Sequence, residues 1–365
     1  MAYLVETSYK KEDVTILLKD ITGQVKPLDT LEREKLNQSG IHYSEMLPLE
    51  YKPSQEYMQI YNESLKEHSK KTAEAIAVLS EKIYKKLGDR AVLVSLARAG
   101  TPIGILIKRY LKEKYNIEIP HYSISIIRGK GIDTNAMNFI AKKHSPKYIQ
   151  FVDGWTGKGA INNVLKQACS ELKQNSEIYK ELDDSLAVVS DPAYLTELCG
   201  THEDFLIPSS CLNSTVSGLI SRTFQRDDII LEGDFHGAVY YGELKSEDKS
   251  NEFLDEISKY FNEIDVKNLN TQTKLREDGM VGLDEVKKIA SDFNIQDVNK
   301  VKPGVGETTR VLLRRVPYKV LVRDIKDTKG IEHIFRLCEE KEVEIVEYPL
   351  KMYRVCGIIK DISDL

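Results

Sequence analysis

The sequence lacks several things that would direct its reading elsewhere. No uninterrupted apolar run of about 18 residues occurs, so no helix is expected to span a bilayer and no membrane partner is expected. The opening stretch MAYLVETSYKKEDV has no basic segment followed by an apolar one, which argues against a signal peptide. The 5 cysteines are odd in number and without CxxC pairing, which suits reduced thiols in a cytoplasmic setting rather than a disulfide framework. No Cys/His group has zinc spacing, so no metal held by a side-chain cluster is expected. An excess of one charge is lacking as well. With 52 Lys and Arg against 57 Asp and Glu, the net charge is −5, and any contact with nucleic acid needs a local basic patch.

What is present is enough apolar sequence for more than one core, since 365 residues exceed a typical single domain. Residues 54–87 repeat apolar positions at helical spacing, with Ser54 able to cap the start and Gly88 to end the helix. AVLVSLA (91–97), HYSISII (121–127), YIQFV (148–152) and LAVVSD (186–191) read as buried strands. The helical stretches TPIGILIKRYLKEKY and INNVLKQACSEL lie between them, with Thr101 placed to cap the first. Strands alternating with helices predict a mostly parallel α/β sheet flanked by helices, with ligands beyond the carboxyl ends of the strands. Residues 245–300 are rich in Lys, Glu, Asp and Asn and mark a boundary. A small α/β unit of strand, basic helix and further strands follows. The division expected is an N-terminal extension (1–50), a first domain (51–265), a helical linker (266–295) and a small C-terminal domain (296–365).

The motif FVDGWTGKGA (151–160) invites a phosphate reading. It is not a nucleotide P-loop, because the lysine arrives two residues early and Gly159 stands where a metal-binding hydroxyl belongs. It also lacks G-x-G-x-x-G spacing. A phosphoribosyl site needs a carboxylate for ribose hydroxyls and a nest of N–H groups at a helix start, and this stretch offers both. Asp153 supplies the acid. Gly154, Trp155, Thr156, Gly157, Lys158 and Gly159 form the turn. LARAGTPIG (96–104) places Arg98 with Ala99, Gly100 and Thr101 at a second helix start, suited to a departing pyrophosphate.

These two stretches resemble the PRPP-binding and pyrophosphate loops of type I phosphoribosyltransferases, although Gly154 stands where the family has a second acid. The longer stretch DPAYLTELCGTHEDFLIPSSCLNSTVSGLISRT (191–223), taken with DGWTGKGA, resembles a bacterial family of the tellurium-resistance and stress context. That family is described both as phosphoribosyltransferase-like and as the "cysteine protease StiP" N-terminal domain. The resemblance implies a phosphoribosyltransferase-like sheet and transfer of ribosyl phosphate from PRPP to an acceptor. Asp153, Arg98 and Lys158 would be catalytic, Mg2+ would accompany PRPP, and no tightly bound cofactor is implied. Arg128, Asp191 and Arg222 are candidates for the acceptor site, and Arg128 with Lys130 for a mobile flap. Two alternatives stand beside this reading. One is a thiol hydrolase of the StiP type, using Cys199 or Cys211 with His202 or His236, centred on Cys211. The other is a non-catalytic nucleotide sensor.

KPGVGETTRVLLRRVPYKVLVRD and the residues after it resemble a Pelota-type RNA-binding domain. The resemblance implies RNA as a partner. It assigns the contacts to the glycine turn and helix start: Lys302, Gly304, Gly306, Glu307, Thr308, Arg310 and Arg314.

Overall fold

The computed structural model describes residues 4–269 and 271–360. Its centre is a sheet of β1 (Thr15–Ile16), β2 (Val92–Ala97), β3 (His121–Ile127), β4 (Ile149–Trp155), β5 (Leu186–Ser190) and β6 (Cys199–Thr201). These run in the spatial order β1-β3-β2-β4-β5-β6, and all are parallel. Only the short Gly131–Ile132 strand pairs antiparallel, against β3. Between the strands lie α1 (Gln55–Leu87), α2 (Gly100–Tyr115) and α3 (Ala160–Asn175). Residues 4–50 do not stand apart from this unit, for they contribute β1 at its edge.

The strands are apolar throughout because both faces are covered. Leu93, Val152, Ala187 and Val189 pack with α1 and α2. Val92, Val94, Phe151 and Val188 turn to the opposite face, against Leu165, Cys169 and Leu172 of α3. That alternation follows from the two-residue period of a strand. Helix α1 is continuous over 33 residues, capped by the Ser54 side chain and ended by Gly88 at φ +64°. Thr101 does not cap α2. The helix starts one residue earlier, and the Thr101 hydroxyl bonds Ser123 instead.

The C-terminal unit consists of α4 (Gly282–Asp292), β7 (Val301–Pro303), α5 (Val305–Arg314), β8 (Pro317–Val322), α6 (Glu332–Glu340), β9 (Glu344–Glu347) and β10 (Val355–Ile359). Its sheet has the order β7-β10-β8-β9. Val286 and Ile289 of α4 enter its core beside Val301, Leu321 and Ile358. The unit docks at the carboxyl end of the parallel sheet. The Asp204 carboxylate accepts from the backbone N–H of Val305 and of Arg354, both at 2.8 Å. The Tyr353 hydroxyl donates to Gly157 O at 2.8 Å, and Arg314 donates to Cys211 O at 2.7 Å.

One glycine is required by the close approach of α2 to β4. A Cβ on Gly100 would lie 2.3 Å from Val152 O. Gly100→Ala forces the helix start away from the strand. The expected loss is about 1–3 kcal/mol of unfolding free energy, read by urea denaturation, and an unchanged midpoint would contradict the packing described.

Candidate functional site

The phosphate turn is filled. Strand β4 runs on through Asp153, which pairs with Val188, to Trp155, which pairs with Ser190, so Asp153 lies inside the strand and not at its tip. The Thr156 hydroxyl donates to Asp191. Lys158 Nζ donates to Val298 O at 2.7 Å and to Asn299, both in the C-terminal unit. Burial, with Lys302 and Arg128 nearby, pulls its pKa down to about 8. The Tyr353 hydroxyl lies against the turn, donating to Gly157 O, and Leu195 packs where a side chain on Gly159 would go. Between Trp155 and the 303–307 turn a space of about 20 Å³ is left, room for one water and not for a sugar phosphate. Arg98 points elsewhere, donating to Ile220 O at 2.8 Å. Ala99 and Gly100 back onto the strand beneath Gly154 and Val152. The 128–131 loop is tied down, with Lys130 ion-paired to Glu45 at 2.8 Å and Arg128 over the Tyr43 ring. The expected phosphate nest, pyrophosphate loop and mobile flap therefore do not assemble into one site.

The glycine turn of the C-terminal unit is covered too. Gly304 packs on Asp204 and Gly306 on Ser210, while Thr308 is buried. Of the residues expected to meet RNA, Lys302, Glu307, Arg310 and Arg314 face a basin at the domain seam.

A different group of residues does converge. Edge strand β6 pairs with β5 so that Val188 faces Cys199 and Ser190 faces Thr201. The N–H of Asp191 then bonds Thr201 O, and the chain turns back so that His202 lies over Asp191. His202 Nδ1 is 2.8 Å from Asp191 O and 3.4 Å from Asp191 Oδ2. Cys199 Sγ lies 3.9 Å from Nδ1 and 3.8 Å from Nε2 of the same ring. The Asp191 carboxylate is buried and fixed by Thr156 Oγ1 and by the N–H groups of Leu195 and Thr196. The Tyr194 ring stacks on the imidazole at 4.3 Å and 8°. Burial alone would lower the His202 pKa. The hydrogen bonds with the Asp191 carboxylate, the Cys199 sulfur and the Asp191 carbonyl outweigh it and raise the pKa to about 10. The ring is thus an imidazolium at neutral pH, the neighbour that stabilises a thiolate.

The cluster borders a groove of about 850 Å³ at the seam, walled by Lys71, Glu74 and residues 200–204 on one side and by Arg323, Lys351 and Arg354 on the other. Asp191, Cys199 and His202 each offer a donor atom, all within 4.8 Å of one another. A thiolate, an imidazole and a carboxylate also form a fitting set for a borderline divalent cation such as zinc. This corrects the expectation that no side-chain cluster could hold a metal.

The other thiol pairing does not form. Cys211 is 0% exposed, burial pushes its thiol up to about 12, and it packs in the apolar core. His236 faces Ser125 at 2.8 Å. The signal for the observed cluster was C-x-x-H at 199–202 following an acid at a strand end. Sequence reasoning had placed Asp191 with an acceptor and had not singled out Tyr194.

Comparison with known proteins gives a consistent family picture. The family profile described as "Tellurite-like stress resistance cysteine protease StiP" matches residues 7–258. The profile described as "PELOTA RNA binding domain" matches residues 280–361. The chain is 35% identical, over 98% of its length and 94% of the relative's, to "Cysteine protease StiP" of Acinetobacter baylyi. No solved structure matches. These matches overturn the expected PRPP-dependent transfer. The relative and the profile both carry a cysteine protease name, and the turn that would hold PRPP is plugged. Magnesium was expected only as a companion of that donor. Among the described residues no helix is long and apolar enough to cross a membrane.

Asp153 keeps a distinct electrostatic signature. Burial raises its pKa from 3.8 to about 7, opposed only by the Gly154 N–H. A carboxyl whose folded pKa is raised costs stability when ionised, so that cost sets in between about pH 4 and pH 7 and persists above. Asp153→Asn is expected to be more stable than wild type at about pH 8, with the difference vanishing below about pH 4 in urea titrations. A variant less stable at both pH values would show that the ionised acid is favourably held.

Proposed function

The chain belongs to the StiP family, and on that premise we propose that it is a thiol peptidase with Cys199 as nucleophile, His202 as acid and base, and Asp191 as the residue that positions the ring. The observation that carries this reading is the Cys199–His202–Asp191 cluster at the edge of the seam groove, with sulfur and imidazole at 3.8 Å. Cys199 thiolate attacks the peptide carbonyl carbon and forms a C–S bond. The C–N bond then breaks as the His202 imidazolium gives its proton to the leaving amine. Water attacks the resulting thioester as His202 takes one of its protons, the C–S bond breaks, the carboxylic acid product leaves, and the Cys199 thiolate and His202 imidazolium are restored. Asp191 does not turn over a proton. Its four hydrogen-bonding contacts, with Thr156, Leu195, Thr196 and His202, hold the ring against rotation.

Cys199 is 0% exposed. Attack therefore requires a local opening at the edge strand in which the Tyr194 ring moves aside while His202 stays on Asp191. The Pelota resemblance adds RNA as a partner class. With Gly304 and Gly306 covered, RNA meets the exposed cations of that unit, among them Arg315, Arg323, Lys326 and Lys329.

The test is hydrolysis of an unfolded protein substrate. Cys199→Ala is expected to abolish turnover and His202→Ala to reduce it at least about a hundredfold, the scale of a lost acid–base group. Cys211→Ala retains activity if it folds. Turnover that survives Cys199→Ala, or disappears only with Cys211→Ala, overturns the assignment.

Alkylation by iodoacetamide gives a second measurement, independent of any substrate. Tyr194→Ala, which removes the ring stacked on His202, is expected to make Cys199 react severalfold faster than in wild type. Added zinc is expected to slow that reaction. An alkylation rate that neither change moves would show that the sulfur is not gated in this way.

A further inference from the structure

The second large cavity, of about 690 Å³, lies on the same seam. The peptidase reading does not use it. Eight basic side chains face it against two acidic ones, Glu50 and Glu307. Arg98 and Arg222 come from the first domain, Lys302, Arg310, Arg314 and Arg315 from the C-terminal unit. In a chain with a net charge of −5 this is a strong local excess.

Lys52 is ion-paired with Glu247 at 2.5 Å, but these six are not neutralised from within. None of these six side chains takes part in an ion pair among the described residues. Glu50 is turned to the N–H and hydroxyl of Ser214. Arg98 donates to Ile220 O, Arg222 to Tyr43 O, and Arg314 to Cys211 O and Asn213. These are carbonyl and amide contacts that aim a guanidinium without cancelling its charge. Nε of Arg222 and Nε of Arg314 are buried with no partner at all. Burial and the nearby Arg33 and Arg98 pull the Arg222 pKa down to about 10, and burial with Arg310 does the same to Arg314. A protein that gathers guanidinium groups from two domains against their mutual repulsion has a cavity suited to a concentrated anion.

We propose that this basin binds a small molecule carrying a chain of linked phosphates, held between the two domains. Guanidinium forks match phosphate oxygens in pairs, and a single phosphate reaches too few of the cations to offset their repulsion. The volume is that of a small-molecule site, within the usual range of about 300–1,000 Å³. The site differs in place and residues from the filled glycine turn, and no group transfer is involved. Arg98 and Arg222 grip the ligand from the first domain and Arg310 and Arg314 from the second, so the ligand ties the seam together.

Calorimetry on the full chain with inorganic tripolyphosphate tests this directly. Saturable one-site binding is expected, at least about tenfold tighter than orthophosphate, with a rise in the unfolding temperature. Arg98→Ala and Arg310→Ala, one from each domain, are each expected to weaken binding about tenfold or more, the scale of one lost charge-assisted hydrogen bond. A short RNA with a 5′-hydroxyl is the competitor. If it displaces tripolyphosphate at equal concentration, the basin is a nucleic-acid backbone site and the proposal is overturned. It is equally overturned if tripolyphosphate binds no tighter than orthophosphate, or if it binds both variants as it binds wild type. Circular dichroism and the alkylation rate of Cys199 report whether the variants are folded.

Discussion

The structure turns on one buried carboxylate. Asp204 sits in the loop after β6 and accepts two backbone N–H groups of the C-terminal unit, Val305 at the start of α5 and Arg354 just before β10. Burial raises its pKa to about 6, with those two N–H groups, Arg354 and Arg323 pulling the other way. Its removal would strand the buried N–H of Val305, the N–H of Arg354 and the positive end of a helix, a substantial loss. The clasp fixes where the C-terminal unit lies, and that placement decides the rest. It drives Tyr353 onto Gly157 and Lys158 onto Val298, so the glycine turn that looks most like a ligand site is sealed. It raises the far wall of the groove beside His202 and completes the basin around Arg98.

The fold was legible where local chemistry decides it. Continuous apolar runs at 91–97, 121–127 and 186–190 became strands buried on both faces, and Ser54 and Gly88 bounded a single helix. The site was harder, because its residues are set by tertiary contacts. Asp153 reads as an acid at a strand tip, yet pairing with β5 carries β4 two residues further. Gly100, Gly157 and Gly159 look like a phosphate nest, but Gly100 and Gly159 are small because strand β4 and Leu195 lie against them. Nothing local in KPGVGE says that Asp204, a hundred residues earlier, covers that turn. Lys158, the strangest residue in the motif, serves the seam.

Two cysteines shared the sequence evidence, and both are buried; what separates them is the partner group. Around Cys211 lie apolar side chains and a carbonyl contact with Arg314, an environment that keeps a thiol protonated. Around Cys199 lies an imidazolium anchored by a carboxylate that is itself anchored by two backbone N–H groups and a threonine. The second environment sets a cationic ring, itself held by a buried carboxylate, beside the sulfur. C-x-x-H on an edge strand gives this pairing only because the parallel partner β5 ends at Ser190, leaving Asp191 free to receive the ring.

The two seam cavities share a wall-forming unit but have opposite chemistry. The groove mixes Glu74, Glu203 and Asp327 with Lys71, Arg323 and Arg354, which suits an extended chain with both kinds of polar group. The basin is overwhelmingly cationic and closed enough for a compact anion. Helix α5 links them. Its N-terminus is fixed by Asp204 at the groove, and its last residue, Arg314, is fixed to Asn213 and Cys211 O at the basin. The two cavities are thus bounded by one rigid element, fixed at its start by Asp204 and at its end by Cys211 O and Asn213.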